Sequence, residues 1–108
     1  MSTGGTETMA NGPLRRTVVV KNPQGLHARP AAAFAGLAAR FESRVTVSKG
    51  DGERVDGKFW PDLLMLAAEQ GTALELEVDG PDAPSAIDVL AEALAEFHED
   101  ESPVQPAN

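Results

Sequence analysis

The chain has 108 residues, of which 42% are hydrophobic, and it carries a net charge of −8. This length predicts one small domain with its own hydrophobic core. With no cysteine and only two histidines, the chain cannot form disulfides, use thiol catalysis or build a three-histidine metal site. The negative charge argues against nucleic-acid binding, because phosphates are bound mainly through Lys and Arg.

Two terminal stretches lack the periodicity of folded elements. Residues 1–13 are rich in Gly, Ser and Thr, and residues 100–108 contain two prolines. We therefore predict that both are disordered and that the folded domain spans residues 14–99. No stretch approaches the roughly 18 consecutive apolar residues of a membrane helix, and residues 1–13 lack the pattern of a secretory signal. We expect a cytoplasmic protein with no membrane insertion.

The elements between these ends follow from periodicity and turn signals. A β-branched run predicts a strand over 15–21, and a turn then leads into a helix over 28–41. Alternation predicts a strand over 43–49, and a Gly-Asp-Gly turn joins it to a short strand over 53–56. An apolar cluster predicts a second helix over 61–70, stopped by Gly71. Residues 73–79 alternate as a strand, and residues 82–97 show helical spacing up to Phe97.

The resulting order is β-α-β-β-α-β-α. It predicts a two-layer α/β domain in which helices cover one face of a sheet. All nine basic residues lie between Arg15 and Lys58, whereas twelve acids and no base follow from residue 59 onward. Two interpretations stay open: the basic half binds an anionic ligand or an acidic partner, or the halves form different faces of one domain.

One segment combines groups that suit phosphoryl chemistry. His27 immediately precedes the first predicted helix, whose first N–H groups form an anion site, and Arg29 adds a full positive charge. The amides of Ala28 and Arg29 and the guanidinium would stabilise a phosphoryl group on the imidazole. Metal binding fits poorly, because the adjacent cation repels a metal and no second ligand is near. The ordinary alternative is a histidine that caps the helix beside a solvated arginine.

The run Gly25-Leu26-His27-Ala28-Arg29-Pro30-Ala31 resembles the active-site motif of HPr, the histidine-containing phosphocarrier of the phosphoenolpyruvate-dependent phosphotransferase system. The resemblance covers residues 14–97. It implies an open-faced sandwich with an antiparallel sheet of strand order 1-4-2-3. It also implies a monomeric covalent carrier that needs no metal or cofactor and is not an independent catalyst. Enzyme I would phosphorylate Nδ1 of His27, an enzyme IIA-type protein would receive the group, and Arg29 would hold it.

The resemblance further implies that partners dock around the motif. The residues at the corresponding positions are Leu26, Ala32, Ala33, Phe59, Trp60 and Leu64. For Phe59 and Trp60, packing in the core is the alternative to docking. Many family members carry a regulatory serine just before the second helix. Phe59 stands at that position and has no hydroxyl, so phosphorylation there is chemically impossible.

A second functional interpretation stays open. The run Leu63-Leu64-Met65-Leu66 and the acidic end of the chain resemble the nitrogen-branch type of the family, often called NPr. In that case the protein would be a regulatory interaction module. The phosphorylation state of His27 would then control partner binding rather than sugar transport.

Overall fold

The computed structural model describes residues 12–96, which form the seven elements in the predicted order. They are β1 (Leu14–Val19), α1 (Ala28–Ala38), β2 (Arg44–Lys49), β3 (Val55–Asp56), α2 (Trp60–Leu64), β4 (Ala73–Asp79) and α3 (Ala83–Ala95). The predicted extension over 1–13 falls almost wholly outside the described residues, as do Phe97, the domain end at 99 and the tail over 100–108. Within residues 12–96, every helix is too short or too polar to cross a membrane.

The sheet has the strand order β1-β4-β2-β3, and every neighbouring pair is antiparallel. The expected topology is therefore confirmed. Strand β4 lies in the middle, where it pairs with β1 and with β2; Leu76 has Arg16 on one side and Val47 on the other. Because β1 runs towards the end of the sheet at which β4 begins, the loop after β1 meets the loop before β4. That meeting point carries His27.

The core lies between one face of the sheet and the helices. The alternation predicted for β4 is confirmed, since Leu74, Leu76 and Val78 are buried and the intervening acids are not. Phe34 of α1 and Leu90 of α3 belong to the same core cluster and are fully buried. The opposite face of the sheet is polar. There the Glu77 carboxylate forms ion pairs with Arg15 and Arg54 at 3.1 and 2.9 Å.

The second helix is shorter than the sequence predicts. It ends at Leu64 rather than at residue 70, so Gly71 is not its stop. Ala67 takes a left-handed conformation with φ 50°, and the Ala68 carbonyl then accepts a hydrogen bond from the Leu26 amide at 2.9 Å. In a helix continued to residue 70, the Ala68 carbonyl would lie in the last turn and would point along the helix axis. The chain instead leaves the helix and presents Ala68 to the loop before α1.

The first and last helices also end earlier than predicted. Helix α1 ends at Ala38, because the amides of Arg40 and Phe41 bond the carbonyls three residues before them, which tightens the last turn. Lys58 then donates from Nζ to the Phe41 carbonyl at 2.7 Å. Helix α3 begins at Ala83, and its last residue is Ala95. Glu96 is extended, so the predicted helical continuation to Phe97 is wrong at residue 96.

Asp82 joins two loops at the end of the domain opposite His27. Its carboxylate accepts the amides of Glu42 and Ser43 at 2.8 and 2.9 Å, and it also accepts the hydroxyl of the buried Ser43. These donors, the Ser43 hydroxyl first among them, hold the pKa of the Asp82 carboxyl below its usual range. Asp82 occupies the capping position of α3, but its side chain makes no capping hydrogen bond to that helix. It binds the loop that follows α1 instead.

This bridge predicts a pH-dependent contribution to stability. Because the pKa of Asp82 is lower in the folded state, its contribution is present above the unfolded value and is lost as the pH falls through the folded value. Asp82→Asn should therefore lower the midpoint of thermal unfolding at pH 7. The difference from the parent chain should shrink below pH 3.8, the ordinary pKa of this carboxyl.

Asp51→Asn is the matched control, because Asp51 lies exposed in the turn between β2 and β3. It should leave the midpoint unchanged at both pH values. An Asp82→Asn chain that unfolds at the same temperature as its parent at pH 7 would contradict a stabilising bridge.

Candidate functional site

His27 occupies the position immediately before α1. Its backbone is extended, with φ −97° and ψ −171°, and its carbonyl accepts the amide of Ala31 at 3.0 Å, which starts the helix. The imidazole makes no capping hydrogen bond to the first turn. The side chain is half-buried. His27 therefore stands at the capping position without acting as a cap.

The first turn of α1 presents positive charge beside this ring. The amides of Ala28 and Arg29 lie in the first turn of α1, where N–H groups have no acceptor within the helix and point out of its end. Pro30, the next residue, has no N–H and contributes no donor. Pro30 and Ala31 are buried, which fixes this end of the helix on the core, whereas Ala28 and Arg29 are exposed. A partial positive charge from the helix and a full one from the guanidinium therefore lie at the surface next to His27.

Gly25 allows the loop before His27 to lie against another backbone. Its φ is +76°, a conformation that side chains disfavour, and its amide closes a turn by donating to the Asn22 carbonyl at 2.9 Å. A Cβ at this position would lie 2.5 Å from the Ala68 oxygen and 2.9 Å from Cα of Glu69. Only a glycine fits here without displacing the Ala68 carbonyl, which holds the amide of Leu26.

Further hydrogen bonds fasten the same loop at its start. The amide of Val20 donates to the Thr72 carbonyl at 2.9 Å, and Gln70 donates from Nε2 to the Lys21 carbonyl at 3.1 Å. The amide of Lys21 donates to the carbonyl of Ala95, the last residue of α3, at 2.7 Å. Sequence reasoning missed Ala68, Gln70 and Ala95, because they act through backbone groups or at a distance and carry no motif.

An open, mostly apolar pocket adjoins His27. Its lining consists of Ala28, Arg29, Ala32 and Trp60. Trp60 is 45% exposed, and the neighbouring Phe59 is 53% exposed. Core packing is therefore the wrong interpretation for these two aromatics. The pocket places an exposed apolar ring beside the arginine and the helix start.

The other predicted docking residues differ in accessibility. Ala32 is exposed, and Ala33 is half-buried. Leu64 is half-buried, because it packs against the core from α2. The prediction that Leu26 belongs to the docking surface is wrong. Leu26 is only 7% exposed and packs in the core, although it lies between Gly25 and His27 in the chain. We therefore leave Leu26 out of the proposed docking surface.

A family model agrees with this geometry. The model described as "PTS HPr component phosphorylation site" matches residues 14–96, which includes His27 and both loops that hold it. The chain belongs to the HPr family. Its fold and its family match make it a phosphocarrier of the phosphotransferase system.

Relatives and solved structures of HPr agree. The chain is 42% identical over 81 residues to the phosphocarrier protein HPr of Neisseria meningitidis, covering 75% of this chain and 90% of that protein. It is 39% identical over 85 residues to HPr of Pseudomonas putida, covering 79% and 94%. The crystal structure of HPr from Bacillus anthracis superposes with a TM-score of 0.72 at 34% identity, covering 77% of this chain and 98% of that one.

The close approach at Gly25 predicts a large effect of one methyl group. Gly25→Ala should lower the free energy of unfolding by about 1–3 kcal/mol through its left-handed backbone alone. The clash with Ala68 adds to this cost. Gly36→Ala is the control, because Gly36 lies in α1 with no atom near the position of its Cβ. That change should raise the free energy of unfolding by about 0.5–1 kcal/mol. Urea denaturation measures both, and equal effects of the two substitutions would contradict the proposed role of Gly25.

Proposed function

We propose that His27 accepts a phosphoryl group on Nδ1 from phosphorylated enzyme I and donates it to a histidine of an enzyme IIA-type protein. The observation that carries the proposal is the position of His27. It lies beside the first turn of α1 and the exposed Arg29, and its ring does not cap the helix. A dianionic phosphoryl group on this ring would meet two amides and a guanidinium, which are strong donors to phosphate oxygens.

The transfer is a displacement at phosphorus. The electron pair of the neutral imidazole nitrogen forms a bond to phosphorus while the bond from phosphorus to the donor nitrogen breaks, and that electron pair returns to the donor. Such a step needs positioning and electrostatic stabilisation more than acid–base chemistry. The guanidinium of Arg29 stabilises the charge on the equatorial oxygens. In onward transfer the same nitrogen is the leaving group, so the carrier emerges unchanged.

The partner contact in this proposal is apolar. Trp60 and Ala32 are exposed and line the pocket together with Ala28 and Arg29, and Phe59, the exposed neighbour of Trp60 in the chain, extends the apolar surface. Tryptophan is a frequent energetic centre of protein interfaces. A partner seated there covers the ring of His27 and excludes water from the transfer. Because the pocket adjoins the acceptor itself, we favour transfer over a role in regulated binding alone. Partner binding that depends on His27 phosphorylation without onward transfer would favour the regulatory module.

Labelling of His27 tests the proposal directly. With enzyme I, phosphoenolpyruvate and Mg²⁺, intact mass should show one added phosphoryl group that is acid-labile and base-stable. His27→Ala should abolish the label with the fold intact. Arg29→Ala should still be labelled, but about ten- to a hundredfold more slowly, because one charge-assisted contact is lost in the transition state.

The matched control for the arginine is Arg40→Ala, because Arg40 is an exposed arginine beyond the far end of α1. Its rate of labelling should equal that of the parent chain. Full labelling of the His27→Ala chain would disprove His27 as the acceptor.

The exposed tryptophan predicts a binding defect. Trp60→Ala should weaken binding to enzyme I or to the acceptor by about 2 kcal/mol, roughly thirtyfold in Kd. Titration calorimetry measures this loss. Val89→Ala is the control, since Val89 is 44% exposed on α3, away from the pocket, and it should leave Kd unchanged. Trp60 fluorescence that is blue-shifted and resists iodide in the free protein would contradict the exposed ring.

A further inference from the structure

Helix α2 and the residue after it carry an accessible strip that starts in the pocket beside His27. An α-helix turns about 100° per residue, so five side chains follow one another around the outer side of α2. In this order they are Trp60, Leu64, Pro61, Met65 and Asp62, and all are exposed or half-buried. The fully buried Leu63 lies on the opposite side. This α2 strip is apolar from Trp60 to Met65, which is 77% exposed, and it ends in a carboxylate.

The far end of the α2 strip borders an open cleft between α2 and the hairpin of β2 and β3. The cleft has a volume of about 390 Å³, and both Asp62 and Met65 line it. Buried Leu66 and half-buried Val55 add apolar surface to the lining. A long side chain of a docked protein therefore has room here, with apolar surface for its stem and a carboxylate for its head.

The charges in this cleft that have no partner are negative in sum. Within residues 12–96, no hydrogen bond or ion pair engages the side chains of Asp62, Glu53 and Lys49, so two acids stand against one base. The second base, Arg54, pairs with Glu77 at 2.9 Å instead. A role for Asp62 in stabilising its own helix is small, because α2 has only five residues. The half-buried Asp62 carboxylate thus favours a cation and repels another acid.

We propose that the partner docked at His27 also covers the α2 strip and places a basic side chain in the cleft, with its charge at Asp62. The proposal rests on the proposed function, which brings a partner to the pocket of Trp60. Such a partner meets a base at one end of its contact, Arg29, and an acid at the other, Asp62. These opposite charges fix its orientation and reject partners that present an acid to the cleft, so Asp62 determines specificity.

Reversing the charge of Asp62 tests the proposal. Asp62→Lys and Glu42→Lys change the net charge equally, but Glu42 is exposed in the loop after α1, at the end of the domain opposite His27. The readout is the Kd of the unphosphorylated protein for enzyme I, which titration calorimetry measures without transfer. Asp62→Lys should raise Kd about ten- to a hundredfold at 50 mM salt, and the difference should shrink at 0.5 M. Glu42→Lys should change Kd less than about twofold at either salt concentration.

Two milder variants separate the contact from an effect on folding. Asp62→Asn keeps the shape of the side chain, so its free energy of unfolding in urea should equal that of the parent chain. Its Kd should still rise about three- to tenfold, because a charge-assisted contact is lost. Met65→Ser should raise Kd by a similar factor at both salt concentrations, because an apolar contact is not screened.

Three results would overturn the proposal. An Asp62→Lys chain that binds enzyme I as the Glu42→Lys chain does, or more tightly than the parent, would exclude a basic group at the cleft. Self-association of the free parent chain that Asp62→Lys abolishes in sedimentation would assign the strip to a second copy. If His27 takes no label but the Asp62 variants still lose affinity for enzyme I, the contact stands and the proposed function fails. Normal labelling with an unchanged Kd leaves the function intact and removes this inference.

Discussion

The site depends on a close approach between two backbones, at which the Leu26 amide meets the Ala68 carbonyl at 2.9 Å. The contact requires a residue without a side chain at position 25 and a chain that leaves α2 early enough to present Ala68. One bond of this kind contributes about 0.5–1.5 kcal/mol, which is little for the fold. The bond matters for position instead, because it holds the backbone of Leu26, the residue before His27, and so determines where α1 begins.

The short second helix follows from the same requirement. Helix α2 has five residues, and a helix of that length has no stability of its own in water. Buried Leu63 anchors it to the core, while Phe59 and Trp60 at its start remain exposed. These two residues are about half exposed, so each forgoes part of the roughly 1.5–3 kcal/mol that full burial of a large apolar side chain contributes. Trp60 shares a pocket with Ala28 and Arg29, so a partner docked there in the proposed function would cover it.

The sequence was sufficient for the architecture but not for the loops. Alternation in β4 and β2 and helical spacing in α1 and α3 predicted the element types, because buried faces impose their period on the residues. The strand order followed from the resemblance of the run around His27. The early end of α2 was missed, since residues 65–70 are good helix formers and tertiary contacts, among them the bond from Leu26 to Ala68, override their propensity. Leu26 was misplaced for a related reason, because a loop residue beside a histidine of the site gives no sign in the sequence that it points into the core.

The charged groups at the two ends of the domain have different roles. At one end, the carboxylate of Asp82 accepts hydrogen bonds from Glu42 and Ser43 and so ties the loop after α1 to the start of α3. At the other end, the exposed Arg29 and the start of α1 lie beside His27. In the function proposed for His27, these positive groups meet a charge that arrives and leaves, and a strong permanent ion pair there would oppose transfer. Because the core and the Asp82 bridge stabilise the domain at other places, the contact between Arg29 and a phosphoryl group is not needed to hold the fold together.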